Sequence, residues 1–191
     1  MNTIKMQLAH NQHVDKRLQE TQNRLFAALK RCYLAKQEFS TIHVNRLCQA
    51  AHVARQTFYR HYGSISEIIE VSCVRMVNQF LQRVDRTPDS TRISAQLIVA
   101  ALLNHRSLLE IMFWGGAAEK VIQLITGDIL RVYNFQNVRE VHTPFIAEMM
   151  ARSIISFAQV MLKNPPIDEK DLVALYTRMV PAPTTIFKAG E

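Results

Sequence analysis

The residues best equipped for chemistry in this chain stand close together between positions 41 and 64. Arg55 and Gln56 are followed one turn later by Tyr59 and Arg60, with Thr57 and His61 beside them. A helix over this stretch brings guanidinium, carboxamide, phenol and imidazole groups to neighbouring positions. Arg matches the two acceptors on a guanine edge, and Gln matches the donor and acceptor of an adenine edge, whereas Thr57, Tyr59 and His61 suit phosphate oxygens. Thr41 upstream and Ser64 downstream extend the row of hydroxyls, and the amides opening a helix at residues 64–67 suit a further phosphate. Such a set favours non-covalent recognition of a polyanion over bond making and breaking.

Catalytic patterns are not found alongside it. The chain has no phosphate-cradling glycine loop, no HExxH and no GxSxG, and its Gly115-Gly116 pair follows Trp114 inside a helical pattern. No nucleophile and base stand at a spacing that nominates them, so the expectation is a protein that is not an enzyme and uses no cofactor. Cys32, Cys48 and Cys73 are odd in number, far apart and embedded in apolar patterns, which reads as small core residues rather than a disulfide framework or metal site. His10 and His13 are three apart but lack a third ligand. Residues 1–13 are expected to form a flexible N-terminal arm.

Charge points the same way as the polar row. Residues 1–86 hold 13 Lys/Arg against 6 Asp/Glu, a net of +7, while residues 87–191 hold 10 of each. The whole basic excess of the chain therefore lies in the part that contains the row, as expected of a segment that meets phosphates and releases their counterions. No apolar run in the sequence approaches the roughly 20 residues that cross a bilayer, and residues 1–13 are polar where a signal peptide needs an apolar stretch. A cytoplasmic protein without a membrane partner is expected.

The elements that position these residues are helical by pattern. Apolar residues recur at helical spacing over residues 14–37, and a short second helix runs through Val44, Leu47, Cys48 and Ala51, with Ser40 and Thr41 offering capping hydroxyls before it. A third short helix covers residues 55–61, with Val53 and Phe58 turned inward and Gly63 in the position where a left-handed residue often ends a helix. Ser64-Ile65-Ser66-Glu67 has the form of a capping box, opening a helix that continues to about Arg86. Thr87-Pro88-Asp89 then marks a boundary. Beyond it the pattern predicts helices over 93–103, 108–114, 117–135 and 145–163, and a last one from about Asp168 to before Pro181. No strand and no internal repeat is evident.

Two short helices joined by a tight turn let the second lie in a major groove while the first braces it, and the residue types here fit that arrangement. The stretch Leu47, Ala51, Val53, Thr57, Phe58, Tyr59, His61 and Tyr62, followed by Ser64 and Glu67, resembles the signature of the TetR family of transcriptional regulators over about residues 21–70. The resemblance implies an all-α protein with a three-helix DNA-binding domain at residues 14–63, a connecting helix at 64–86 and a C-terminal helical body at 87–191. It further implies a homodimer on a palindromic operator in double-stranded DNA, acting as a repressor or activator, often with a small-molecule effector. The chain departs from the family pattern at His52, where Gly is usual, at Ala54, where Ser or Thr caps the recognition helix, at Gln56, where a small residue is usual, and at Ile65, where Lys is frequent. The departures at Ala54 and Ile65 raise an alternative: a TetR-like interaction protein, or co-regulator, with weak or no autonomous DNA binding. In the C-terminal body Phe113, Trp114, Tyr133, Phe145 and Met149 are candidates for lining an effector cavity, with ordinary core packing as the competing role. Met149, Met150, Ser153, Ile154 and Phe157 are expected to form a dimer seam.

Overall fold

A computed structural model describes residues 16–86, 94–135 and 141–180, and these residues form nine α-helices with no strand. The expected N-terminal arm with His10 and His13, the boundary at Thr87-Pro88-Asp89 and residue Ile93 lie outside the described residues. In order along the chain the helices are α1 (Lys16–Leu34), α2 (Val44–Ala51), α3 (Arg55–His61), α4 (Ile65–Arg86), α5 (Ala95–Asn104), α6 (Arg106–Trp114), α7 (Ala118–Phe135), α8 (Thr143–Lys163) and α9 (Glu169–Met179). The all-α expectation is borne out.

Helix α1 buries Thr21, Leu25, Ala28 and Leu29, a single stripe at three- and four-residue spacing, and leaves its charged residues outside. It ends in a Schellman turn: Lys36 N–H donates to Tyr33 O at 2.9 Å and Gln37 N–H to Cys32 O at 3.2 Å, with Lys36 in the left-handed region at φ 55°. A 3-10 turn at Phe39–Thr41 leads to α2. Ser40 and Thr41 do not cap α2, contrary to expectation. His43 holds the N-cap position without a side-chain bond, and the Thr41 hydroxyl donates instead to Glu38 O at 2.7 Å, spent on the 3-10 turn that separates it from the helix.

Three residues, His52 to Ala54, connect α2 to α3. His52 takes the left-handed conformation, φ 52° and ψ 46°, at a position where glycine is free of the Cβ penalty. Gly63, in contrast, is not left-handed: α3 ends at Tyr62 in extended backbone, φ −140°, because the chain must run straight into α4 rather than reverse. The predicted capping box is present in a shifted form. Glu67 N–H donates to Ser64 Oγ at 3.4 Å, while the Glu67 carboxylate accepts from Gly63 N–H at 2.8 Å, one residue earlier than the usual partner.

Helix α4 is the spine of the molecule. It packs on α1 on one side and on α6 and α7 on the other, and it buries Ile68, Ile69, Cys73, Met76, Val77, Leu81 and Val84. Ser94 caps α5, accepting from Leu97 N–H at 3.3 Å. Helices α5 and α6 meet at His105 with a bend of 71°. Pro144 sits in the first turn of α8, where its missing N–H costs nothing, and Pro165 and Pro166 follow its end. The most extensive helix pairing is α7 with α8. Helix α8 is long and apolar enough to cross a bilayer by length and composition, but it carries Glu148 and Arg152 and turns one face, from Ala147 through Ala158, into the core. One continuous apolar cluster runs from Leu25 in α1 to Val180 beyond α9, so the core is shared across the stretch where the sequence marks a boundary.

Candidate nucleic-acid interface

Helix α3 is held chiefly against α2. Its only buried side chain is Phe58, fully enclosed between Val53, Tyr62 and the neighbouring helices. The Phe58 ring lies 5.5 Å from that of Tyr62 and 5.2 Å from that of Tyr59, the latter edge-on. With one face pinned at Phe58, the opposite face is forced outward. Arg55, Gln56, Tyr59, Arg60 and His61 are exposed and Thr57 is half-buried. The structure thus brings together on one outer surface six of the residues singled out by spacing.

Within this set Arg55 is not free-swinging. Its guanidinium carbon lies 5.8 Å from the centre of the Tyr59 ring, one turn on, at cation–π distance. Tyr59 itself is 53% exposed, so its hydroxyl reaches solvent while its ring supports Arg55. Ser64 is exposed at the mouth of α4; its oxygen accepts from Glu67, which leaves the hydroxyl proton available to a phosphate. The amides of Gly63 and Glu67, by contrast, are already engaged by the chain's own groups, so this helix start offers fewer free donors than its sequence implies. Thr41 is exposed too, but its proton is committed to Glu38 O.

Sequence reading missed two arginines that build this surface. Arg31 donates to Ala50 O at 2.7 Å and Arg24 to His52 O at 3.3 Å, so α1 places two cations on the carbonyl end of α2. Cations at a helix C-terminus are favourable, by about 0.3–1 kcal/mol each at exposed sites. They fasten the turn that carries the left-handed His52. Their seven-residue separation, two turns along one face of α1, was the available signal. Behind them Arg75 of α4 donates to Asn23 Oδ1 at 2.8 Å and to the Gln22 carboxamide, tying α4 to α1 beneath Tyr62. Burial pushes the Tyr62 phenol above its ordinary range, with the nearby Arg75 acting in the opposite direction. Burial likewise raises the Cys48 thiol, and it holds the Cys73 thiol at about 12, so both stay protonated and behave as packing groups. No cluster of three or more His, Cys, Asp or Glu side chains suited to a metal ion occurs among the described residues.

The expected effector-lining set is not brought together. Trp114 packs at the surface against Tyr33, 5.5 Å away, and Phe39, 5.2 Å away. Tyr133 is buried elsewhere, its hydroxyl donating to Met150 Sδ at 3.1 Å. Phe145 and Met149 lie on the outside of α8, 70% and 49% exposed, and Phe113 is half-buried. Of the residues expected at a dimer seam, Met150 is buried, Met149 is exposed and Ser153, Ile154 and Phe157 are half-buried; the outward face of α8 carries Phe145, Met149, Ser156 and Val160. Helical spacing shows that two apolar faces exist without saying which one the body covers.

A scan against protein-family models and a search of curated proteins each found no match. Among solved structures, the crystal structure of Lin0861 from Listeria innocua is similar, with a TM-score of 0.84 and 29% identity over 91% of this chain and 96% of that one. The likeness extends over nearly the whole length of both chains.

Proposed function

We propose that this chain is a TetR-like transcriptional regulator in which α2 and α3 form a helix-turn-helix and α3 reads the major groove of double-stranded DNA. The observation that carries the reading is the outer face of α3: Arg55, Gln56, Tyr59, Arg60 and His61 all exposed, Phe58 alone buried, inside the segment that holds the entire net charge of +7. Arg55 and Gln56 take the base edges, Thr57, Tyr59, His61 and Ser64 the phosphates. Helices α1 to α3 act as the DNA-binding head, α4 as the connection, and α5 to α9 as the dimerising body. The exposed Phe145, Met149 and Val160 of α8 and Met179 of α9 support pairing with a second copy, and a two-fold pair matches a palindromic operator.

The test is selection of genomic DNA fragments by the purified protein, followed by retardation assays across a salt series. Specific retention is expected, with Arg55→Ala costing about 1–3 kcal/mol of discrimination at one guanine position. Binding that is sequence-independent at every salt concentration overturns the reading. One observation favours a second reading, a TetR-like co-regulator that docks another protein: the N-cap of α3 is Ala54, which makes no capping bond. Specific retention without any partner decides against it.

A further inference from the structure

We propose that the cleft between the α1–α2 connection and the end of α6 is a binding site for an organic cation of the quaternary-ammonium class. The cleft has a volume of about 840 Å³ and is walled by Tyr33, Phe39 and Trp114, with Glu38 on its rim and the Gly115-Gly116 backbone at its far side. It is separate from the outer face of α3 and shares no residue with it.

Three features set its preference. The rings stand at steep angles, Trp114 at 63° to Tyr33 and 80° to Phe39, so they form walls of a concavity rather than one stacked plate. Aromatic walls attract a cation through the ring quadrupole. Helices α1 and α6 both end at the cleft, each in a Schellman turn: Gly116 N–H donates to Phe113 O and Ala117 N–H to Met112 O, matching the pair at Lys36 and Gln37. Two carbonyl ends therefore converge there, and each carries partial negative charge. Glu38 adds a full one; its side chain is exposed and makes no capping bond. Lys36 is the one basic residue of the lining and balances the charge of Glu38, which leaves the rings and helix ends to set the sign inside.

The walls are built to hold their shape. Trp114 Nε1 donates to Gln37 O at 3.0 Å, joining α6 to the α1–α2 connection. A Cβ on Gly115 would overlap Ile69 Cδ1, so α6 ends flush against α4, whereas one on Gly116 would meet nothing within 4 Å, leaving that side open to a ligand. A molecule held there touches α1, α6 and the connection into α2 at once. On the function proposed above, occupancy bears on how the head sits on the body.

Trp114 is the single tryptophan of the chain, so its emission reports the cleft directly, without DNA. Choline chloride is titrated at constant ionic strength against its neutral isostere 3,3-dimethylbutan-1-ol. Choline is expected to give a saturable change in the millimolar range, with the alcohol at least about tenfold weaker. Glu38→Gln weakens choline binding by about three- to tenfold, and Lys36→Gln strengthens it. Equal response to the alcohol, or no saturable response to choline, overturns the assignment whatever α3 binds.

Discussion

Replacing Ala54 by Ser isolates the weakest joint of α3. Ala54 already has the backbone of an N-cap, φ −64° and ψ 139°, and its carbonyl accepts from Phe58 N–H at 3.0 Å, but a methyl group cannot accept from the free amides of the first turn. The position is exposed, so a hydroxyl enters without displacing a neighbour. Ser at this backbone geometry places Oγ within reach of the Thr57 N–H. The expected gain is about 1 kcal/mol, which for a domain of this size raises the melting temperature by about 2–4 °C. Because α3 is only seven residues long, most of that gain is local. Urea denaturation of both proteins with an unchanged m-value measures it, and hydrogen exchange at Thr57 shows where it resides. Ala54→Asp separates fold from function: its carboxylate stabilises the helix start as Ser does, yet places a negative charge beside Arg55 and weakens DNA binding. A Ser variant no more stable than the parent refutes the reasoning about the cap. An Asp variant that binds DNA as well as Ser does refutes the placement of this face against phosphates.

Adjacent glycines offer a paired test. Gly115→Ala meets Ile69 and the Ile111 carbonyl and is expected to destabilise by about 1–3 kcal/mol in denaturant titrations, whereas Gly116→Ala, in open space but at φ +67°, costs about 1–2 kcal/mol through backbone torsion alone. A companion Ile69→Val change should relieve the first and leave the second untouched. His105, at the α5–α6 corner, has its pKa lowered by burial from an ordinary value of about 6.5. Its folded form therefore binds protons less readily than the unfolded chain, so its contribution is complete above about pH 6.5 and is lost as pH falls towards the folded pKa. His105→Asn should flatten that part of the stability profile relative to the parent, and identical profiles would remove the assignment. Brief alkylation of the native protein at pH 8, read by mass spectrometry, should label the half-exposed Cys32 and spare Cys48 and Cys73. Equal labelling of all three would contradict the burial described.

Much of the architecture was legible beforehand because it is local. The start of α3 at Arg55 and its end at His61, the capping pair of Ser64 and Glu67, and the proline-bounded ends of α8 follow from propensity and capping chemistry within a few residues of chain. So does the row Arg55, Gln56, Tyr59 and Arg60, since burying Phe58 leaves those positions no inward orientation. Errors arose where a local signal had a competitor. Thr41 carries a capping hydroxyl, but the Glu38 carbonyl is nearer and takes it. Gly63 suited a left-handed turn, yet the left-handed positions fell on Lys36, His52 and Gly116, each just past the end of a helix.

The chain by itself determined that the protein is helical, where most helices begin and end, and which face of α3 is polar, because each depends on spacing and capping over a turn or two. Tertiary structure decided the partners. It set Arg24 and Arg31 on the end of α2, moved Trp114 from an imagined interior cavity to the cleft beside Tyr33 and Phe39, and turned Phe145 and Met149 outward while Met150 went in. Periodicity records that a face is apolar, but the surface that covers it comes from a helix far away in sequence.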